Sequence, residues 1–286
     1  MSQNTIQPIQ QQPGGNPPPP QQYEPAPVSQ PIGMQPMGGQ QPVSGQPQGF
    51  MEKPAGTAGC PPGLEYLTLI DQLLVHQQVE MLEVITGFET KNKYQIKNSM
   101  GQQIYFAQEE SSCCERQCCG PQRGFIMHIT DNSGKEVITC TREFKCCAGC
   151  CWCACCDCGA MTLKVEANGE FCGMVRQTCS KWSPRYQILD AQDQTIFDIQ
   201  GPCCVCDGPC CPMDQEFMLL SSNTGDEVGK ISKQYTGFVK EAFSTADNFG
   251  VNFPMDLDVK MKAVMIGAVF LIDFMFFEEK DNGGEG

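Results

Sequence analysis

Two stretches of the chain, about 92 residues apart, repeat one another. Tyr94-Gln95-Ile96 returns as Tyr186-Gln187-Ile188, and Phe125 is answered by Phe217, each following a double-cysteine cluster that contains Gly-Pro. Ser133–Val137 is answered by Thr224–Val228. A repeat on this scale marks a duplicated structural unit. Each unit is punctuated by turn chemistry, at Asn98–Gly101, Asp131–Gly134, Asn168-Gly169, Asp190–Gln194 and Asn223–Gly225. Between the turns lie β-rich pieces, among them Gln103–Ala107, Phe125–Ile129, Met161–Val165 and Phe217–Leu220. Short strands without intervening helices predict a sandwich or a barrel, and a duplicated meander closes into a barrel because closure removes exposed edges. The fold class is therefore all-β.

Two segments carry helical patterning. Residues 64–85 place Leu67, Ile70, Leu74, Met81 and Leu82 on one stripe. The second is the C-terminal run 259–277, apolar on every face from Ala263 to Phe277 apart from Asp273. Fifteen helical residues span about 22 Å, short of a hydrocarbon core of about 30 Å. Asp273 within the run and Lys262 before it are costly in lipid. Such a helix fills the centre of a large barrel; the alternative is a single span with its N-terminus inside, which Lys260, Lys262, Glu278 and Glu279 would suit.

Residues 1–58 form a separate arm dominated by Pro, Gln and Gly, with Glu24, Glu52 and Lys53 as its charges. A segment this poor in apolar residues cannot offset its conformational entropy, so disorder is expected. Pro17–Pro20 suits the grooves of SH3- or WW-type partners, or serves as a solvated spacer. The first thirty residues have neither a basic start nor an apolar core, so no signal peptide is expected and the 21 cysteines should be mostly reduced in the cytosol. The net charge of −14 argues against nucleic acid as a partner, and against adhesion to anionic lipid unless a cation bridges the two.

Eight cysteines crowd residues 146–158. Three chemistries compete for them: zinc or an iron–sulfur cluster, with Cys147 and Cys150 at suitable spacing; disulfides, which need an oxidising compartment; and palmitoylation of accessible thiols near a membrane. The clusters at 113–119 and 203–211 occupy matching places in the two repeats and are further metal or thiol candidates. Immediately before the apolar run, residues 245–256 pattern as a twelve-residue Ca²⁺ loop. Thr245, Asp247, Phe249, Val251, Phe253 and Asp256 stand at positions 1, 3, 5, 7, 9 and 12, with Gly250 at the turn position 6. Two carboxylates, with Phe249, Val251 and Phe253 offering backbone oxygen alone, make a poor set, so affinity on the order of 10⁻⁴ M or weaker is expected; the alternative is a β-turn leading into the last strand. His76 and His128 have no triad partners in the sequence, and no nucleophile motif, phosphate-binding loop or dinucleotide fingerprint is present. Conventional enzyme chemistry is not expected.

Cys60-Pro-Pro-Gly-Leu-Glu-Tyr66, Gly87-Phe-Glu-Thr-Lys-Asn-Lys-Tyr94, Cys118-Cys-Gly-Pro121, Gly229-Lys-Ile-Ser-Lys233 and the block Ala246–Glu278 closely resemble the phospholipid scramblase family. The resemblance covers residues 59–280, and a Pro-rich arm is usual in that family. It implies a twelve-stranded, Tubby-like closed barrel around a hydrophobic C-terminal helix. It also implies an ATP-independent, Ca²⁺-stimulated movement of membrane phospholipids between leaflets, at the cytosolic face of the plasma membrane. By the same resemblance the thiols to be palmitoylated are Cys150, Cys151, Cys153, Cys155 and Cys156. Here the chain departs from the family pattern, with Trp152 inside the run and Ala154 where Pro is usual. Gly229–Phe238 resembles the family's nuclear-import segment, with Lys230 and Lys233 as its cations, so a nuclear pool of unacylated protein is an expectation as well. A membrane-anchored adaptor without intrinsic lipid transport is the alternative function, and a homo-oligomer is compatible with either.

Overall fold

The computed structural model describes residues 49–56, 59–78, 91–146, 148–203, 205, 214–234 and 248–278. All fall in one unit, Gly45–Gly286; the other, Met1–Ser44, holds the Pro-rich stretch and lies outside the described residues. Twelve strands run in order: β1 Gln72–Gln78, β2 Lys93–Asn98, β3 Gln103–Glu110, β4 Phe125–Asp131, β5 Glu136–Arg142, β6 Thr162–Ala167, β7 Glu170–Thr178, β8 Arg185–Asp190, β9 Thr195–Gln200, β10 Gln215–Ser221, β11 Glu227–Lys233 and β12 Asn248–Asn252. Each pairs antiparallel with its neighbour in sequence, and β1 pairs with β12 to close the barrel. Two helices accompany them, α1 Cys113–Cys119 between β3 and β4, and α2 Val259–Phe276 after β12. The expected closed twelve-stranded barrel with a C-terminal helix is the fold.

The duplication is visible in the details. Tyr94 and Ile96 of β2, and Tyr186 and Ile188 of β8, all point into the core. The ladder shifts register after Ile96 in one repeat and after Ile188 in the other. The turns follow the side-chain chemistry read from the sequence. Asn98 Oδ1 accepts from the amides of Met100 and Gln102, and Asp131 Oδ1 from those of Ser133 and Lys135. Asp190 Oδ1 does the same for Gln192 and Gln194. Such Asx turns let a short polar side chain stand in for a backbone acceptor.

Among the described residues, 64–78 do not form the expected helix. Residues 65–69 form a single 3-10 turn, and residues 72–78 are β1 rather than helix. Leu73 and Val75, off the expected stripe, are the fully buried ones, while Leu74 is half-buried. The decisive interaction is long-range: β1 satisfies its backbone against β2 on one side and β12 on the other, and only a strand there closes the ring. Met81 and Leu82 lie outside the described residues.

The helix α2 runs through the barrel and is buried on all sides from Met261 to Phe274. Aromatic contacts fix it to the wall: Phe270 lies 5.0 Å from Tyr94, and Phe274 stacks on Phe125 at 4.1 Å between ring centroids. It packs most closely against β6 and β7. A Cβ on Gly267 would come within 2.8 Å of both Leu163 and Val165, so glycine permits that approach. No helix among the described residues is long and apolar enough to cross a membrane.

Candidate functional site at the ends of the barrel

An up-and-down barrel sends alternate connections to opposite ends, and here the two sets differ. At one end tight hairpins join β2 to β3, β4 to β5, β6 to β7, β8 to β9 and β10 to β11. At the other lie the long connections, including residues 111–124 between β3 and β4 and 143–161 between β5 and β6. Apart from Cys60, Cys140 and Cys172, every free cysteine among the described residues lies in a connection of this second end. The helix α2 starts at the hairpin end and finishes at the loop end.

At the hairpin end Asp258 caps α2, its carboxylate accepting from the Lys260 amide at 2.8 Å. One turn on, Lys262 is fully buried, and its ammonium donates to the carbonyls of Leu67, Ile70 and Met255 at 3.0, 2.8 and 2.7 Å. Burial pulls its pKa down, opposed by the negative field of Asp71, Asp256 and Asp258. Those three carboxylates are exposed around the start of the helix.

At the loop end the anchor is ionic. Arg123 is fully buried, donates to Glu109 at 2.7 Å through Nε and at 3.0 Å through Nη2, and pairs with Glu278 just beyond the end of α2. Asn92 completes the network, donating its side-chain amide to Glu278 at 2.8 Å and its backbone amide to Glu109 at 3.0 Å. Burial opposes the Glu109 carboxylate, but the bonds from Arg123 outweigh it and hold the pKa below the usual range. Asp273, inside the apolar helix, accepts a 2.6 Å hydrogen bond from the buried Tyr94 hydroxyl. Arg142 lies under the same end, over the rings of Phe125 and Phe274, and donates to the carbonyls of Pro121 and Arg123. Burial pushes its pKa down to about 9. Asp273 and Glu278 stand out in the sequence as charges in and after the apolar run, but their pairing with Tyr94 and Arg123 does not, because Arg123 and Glu278 are 155 residues apart and share no local pattern.

The cysteine run lies in the connection between β5 and β6. Cys150, Cys153, Cys155 and Cys156 are exposed, and Cys151 is half-buried, with Gln177 directed at its sulfur. Cys146 and Cys158, which the resemblance did not pick out, are exposed too. Backbone amides of Trp152 and Cys153 lower the Cys150 pKa, and a hydrogen bond from Cys158 lowers that of Cys156, whereas Cys153 is raised by its bond to Cys150. Since the thiolate is the nucleophile, these shifts favour the thiolate at Cys150 and Cys156 over Cys153. Among the described residues no group of three or more His, Cys, Asp or Glu is arranged to hold a metal ion. Cys147, Cys204, Cys206, Cys210 and Cys211 lie outside them.

Of the expected Ca²⁺ ligands, the four among the described residues do not share one turn. Thr245 and Asp247 lie outside the described residues. Phe249 and Val251 belong to β12, paired on both sides, with side chains buried in the core. Phe253 and Asp256 follow at the far end of that strand, Phe253 buried with its amide bonded to Asp71 and Asp256 exposed. Residues 248–252, expected as the middle of a loop, are strand because closing the barrel requires a partner for both β1 and β11. Lys230 and Lys233 lie on β11: Lys230 pairs with Glu216 at 2.5 Å, and Lys233 sits over the Phe277 ring at 4.3 Å.

Comparison with known proteins places the sequence in a family. No solved structure matches the chain significantly. It is 52% identical over 234 residues to phospholipid scramblase 1 of Rattus norvegicus, covering 82% of this chain and 68% of the relative. It is 50% identical over 253 residues to phospholipid scramblase 2 of Bos taurus, covering 88% and 83%, and 48% identical over 223 residues to the human phospholipid scramblase family member 5, covering 78% and 79%. The family model named Scramblase matches residues 51–279, the whole barrel and its helix. The chain belongs to the scramblase family.

Proposed function

We propose that this protein moves phospholipids between bilayer leaflets, without ATP or covalent chemistry, while held at the cytosolic face of the plasma membrane by palmitate on Cys150, Cys151, Cys153, Cys155 and Cys156. The observation that carries the transport reading is the match to scramblases along the entire barrel, including relatives about half identical in sequence. Anchoring is supported by the exposure of four of the five thiols on one connection, since stable attachment takes more than one acyl chain. A response to Ca²⁺ is part of the proposal and is weak. Support comes from Asp71, Asp256 and Asp258, exposed carboxylates whose negative field reaches the buried Lys262 and would be offset by a bound divalent cation. It would thereby alter how firmly the start of α2 is held.

One observation favours the second reading, a docked adaptor without intrinsic transport: α2 is buried on all sides from Met261 to Phe274, so protein and not lipid occupies the interior among the described residues. A single experiment separates the two. The full chain is reconstituted in vesicles whose labelled phospholipid is bleached from outside by dithionite. Transport predicts loss of the protected inner-leaflet signal, faster with millimolar Ca²⁺ and less Ca²⁺-sensitive in Asp256→Ala. An unchanged protected fraction, with and without Ca²⁺, overturns transport and leaves the adaptor.

A further inference from the structure

The chain contains two tryptophans, and the fold brings them together. Trp152 lies in the connection between β5 and β6, and Trp182 in the connection between β7 and β8. Their rings meet edge-to-face, 5.8 Å apart and 86° between planes. The two loops are tied by backbone: the Trp152 indole donates to the Lys181 carbonyl at 2.6 Å, and the Ser180 amide donates to the Cys151 carbonyl at 3.0 Å. With the Trp152 N–H satisfied internally, that indole needs no polar partner. Yet Trp152 is 61% and Trp182 72% exposed, the most exposed aromatic pair in contact among the described residues. Large apolar groups held rigidly in water mark a contact surface.

Local charge identifies the partner. Residues 143–161 and 179–185 contain Lys145, Lys181 and Arg185 against Glu143 and Asp157, three positive charges less two negative, +1, in a chain of net −14, and Glu143 is paired with Lys164. Asp157 is itself paired with Arg176. A basic, indole-bearing patch that includes the connection carrying the exposed thiols of Cys150, Cys153, Cys155 and Cys156 matches an anionic bilayer surface. Indoles settle at the headgroup level, and Lys and Arg gain from the negative surface potential. We propose that Trp152 and Trp182, with Lys181 and Arg185 beside them, form a bilayer-docking surface that engages anionic lipid before and without acylation. It brings the thiols to the interface where acyl chains can attach. The inference goes beyond the transport reading and does not require it, because docking is measured without lipid movement.

The test uses the full chain made without acylation and vesicles of phosphatidylcholine containing about a third phosphatidylserine. Both tryptophans lie in the patch, so tryptophan emission reports on it directly. Docking predicts a blue shift on vesicle addition and quenching by lipids brominated near the headgroup. It also predicts at least about tenfold weaker partitioning for W152A/W182A. W152F and W182F, each keeping one indole, retain the blue shift. K181E/R185E leaves both indoles in place, loses affinity for the anionic vesicles and is unchanged on phosphatidylcholine alone. M255A, at the hairpin end, behaves as the parent. Emission unaltered by vesicles, or partitioning equally strong in W152A/W182A, overturns the proposal.

Discussion

The two ends of the barrel hold the same helix by different chemistry. At the hairpin end Lys262 sits on three backbone carbonyls, with its charge balanced at a distance by exposed carboxylates. At the loop end Arg123 is clamped between Glu109 and Glu278 in direct, buried ion pairs. A buried ion pair is seldom a net gain over apolar packing, but losing one partner strands the other. The loop end is therefore the more brittle attachment, and it is also the end with the exposed thiols and the tryptophans. The hairpin end is short, regular and nearly free of cysteine. Duplication built the wall twice, while the connections of one end diverged toward a surface.

The largest expected effect breaks that contrast on the membrane itself. Replacing Cys150, Cys151, Cys153, Cys155 and Cys156 with Ala should move most of the protein from the membrane to the soluble fraction of cells, because the residual attachment is weak and reversible. An exposed hairpin-end change such as Met255→Ala should leave fractionation unaltered. Within the set, restoring Cys150 or Cys156 should recover more acylation, measured by thioester exchange, than restoring Cys151, which is half-buried. Equal recovery would show that accessibility and thiolate character do not govern acylation here.

Next in size are the helix anchors. Arg123→Ala leaves Glu109 and Glu278 without their cation and should cost about 3–5 kcal/mol in urea unfolding. Lys262→Met removes a buried charge but leaves three carbonyls without their donor, so a smaller cost of about 1–3 kcal/mol is expected. If Lys262→Met is the more damaging, the hairpin end is the true clamp and the comparison inverts.

Asp258→Ala removes the side-chain cap on the first turn of α2 and should cost about 1 kcal/mol. Hydrogen exchange should show the loss confined to the start of the helix, with the Arg123 network unaffected. Spread of the effect to Phe274 and beyond would mean that the ends are coupled through the helix.

The pH responses have opposite signs. Glu109 titrates below the ordinary carboxylate value of about 4.3, so its contribution is complete above that value and is lost as pH falls through the folded-state pKa. Acid should therefore loosen the loop end first. Lys262 titrates below its ordinary value near 10.4, so its charged form costs stability. That cost is relieved as pH rises through the folded value toward the unfolded one, and mild alkali should tighten the hairpin end. Exchange profiles of amides near Asn92 and near Leu67, followed across pH, check both signs.

The repeat, the turns and the barrel were legible because they rest on local chemistry written into short stretches. Asn98, Asp131 and Asp190 bond their own following amides whatever surrounds them, and Gly134 and Gly225 supply the positive φ their turns require. An apolar run carrying Asp273 and Lys262 was readable as a helix that needs a protein interior. The strand identity of residues 72–78 and 248–252 was not, since each is strand only because the other is there to close the ring. The ion pair of Arg123 with Glu278 and the contact of Trp152 with Trp182 are likewise absent from any local pattern. Sequence determines what each backbone segment prefers within a few residues; which distant side chains share a low-dielectric interior, or one exposed face, is decided when the barrel closes and its alternate connections converge at one end.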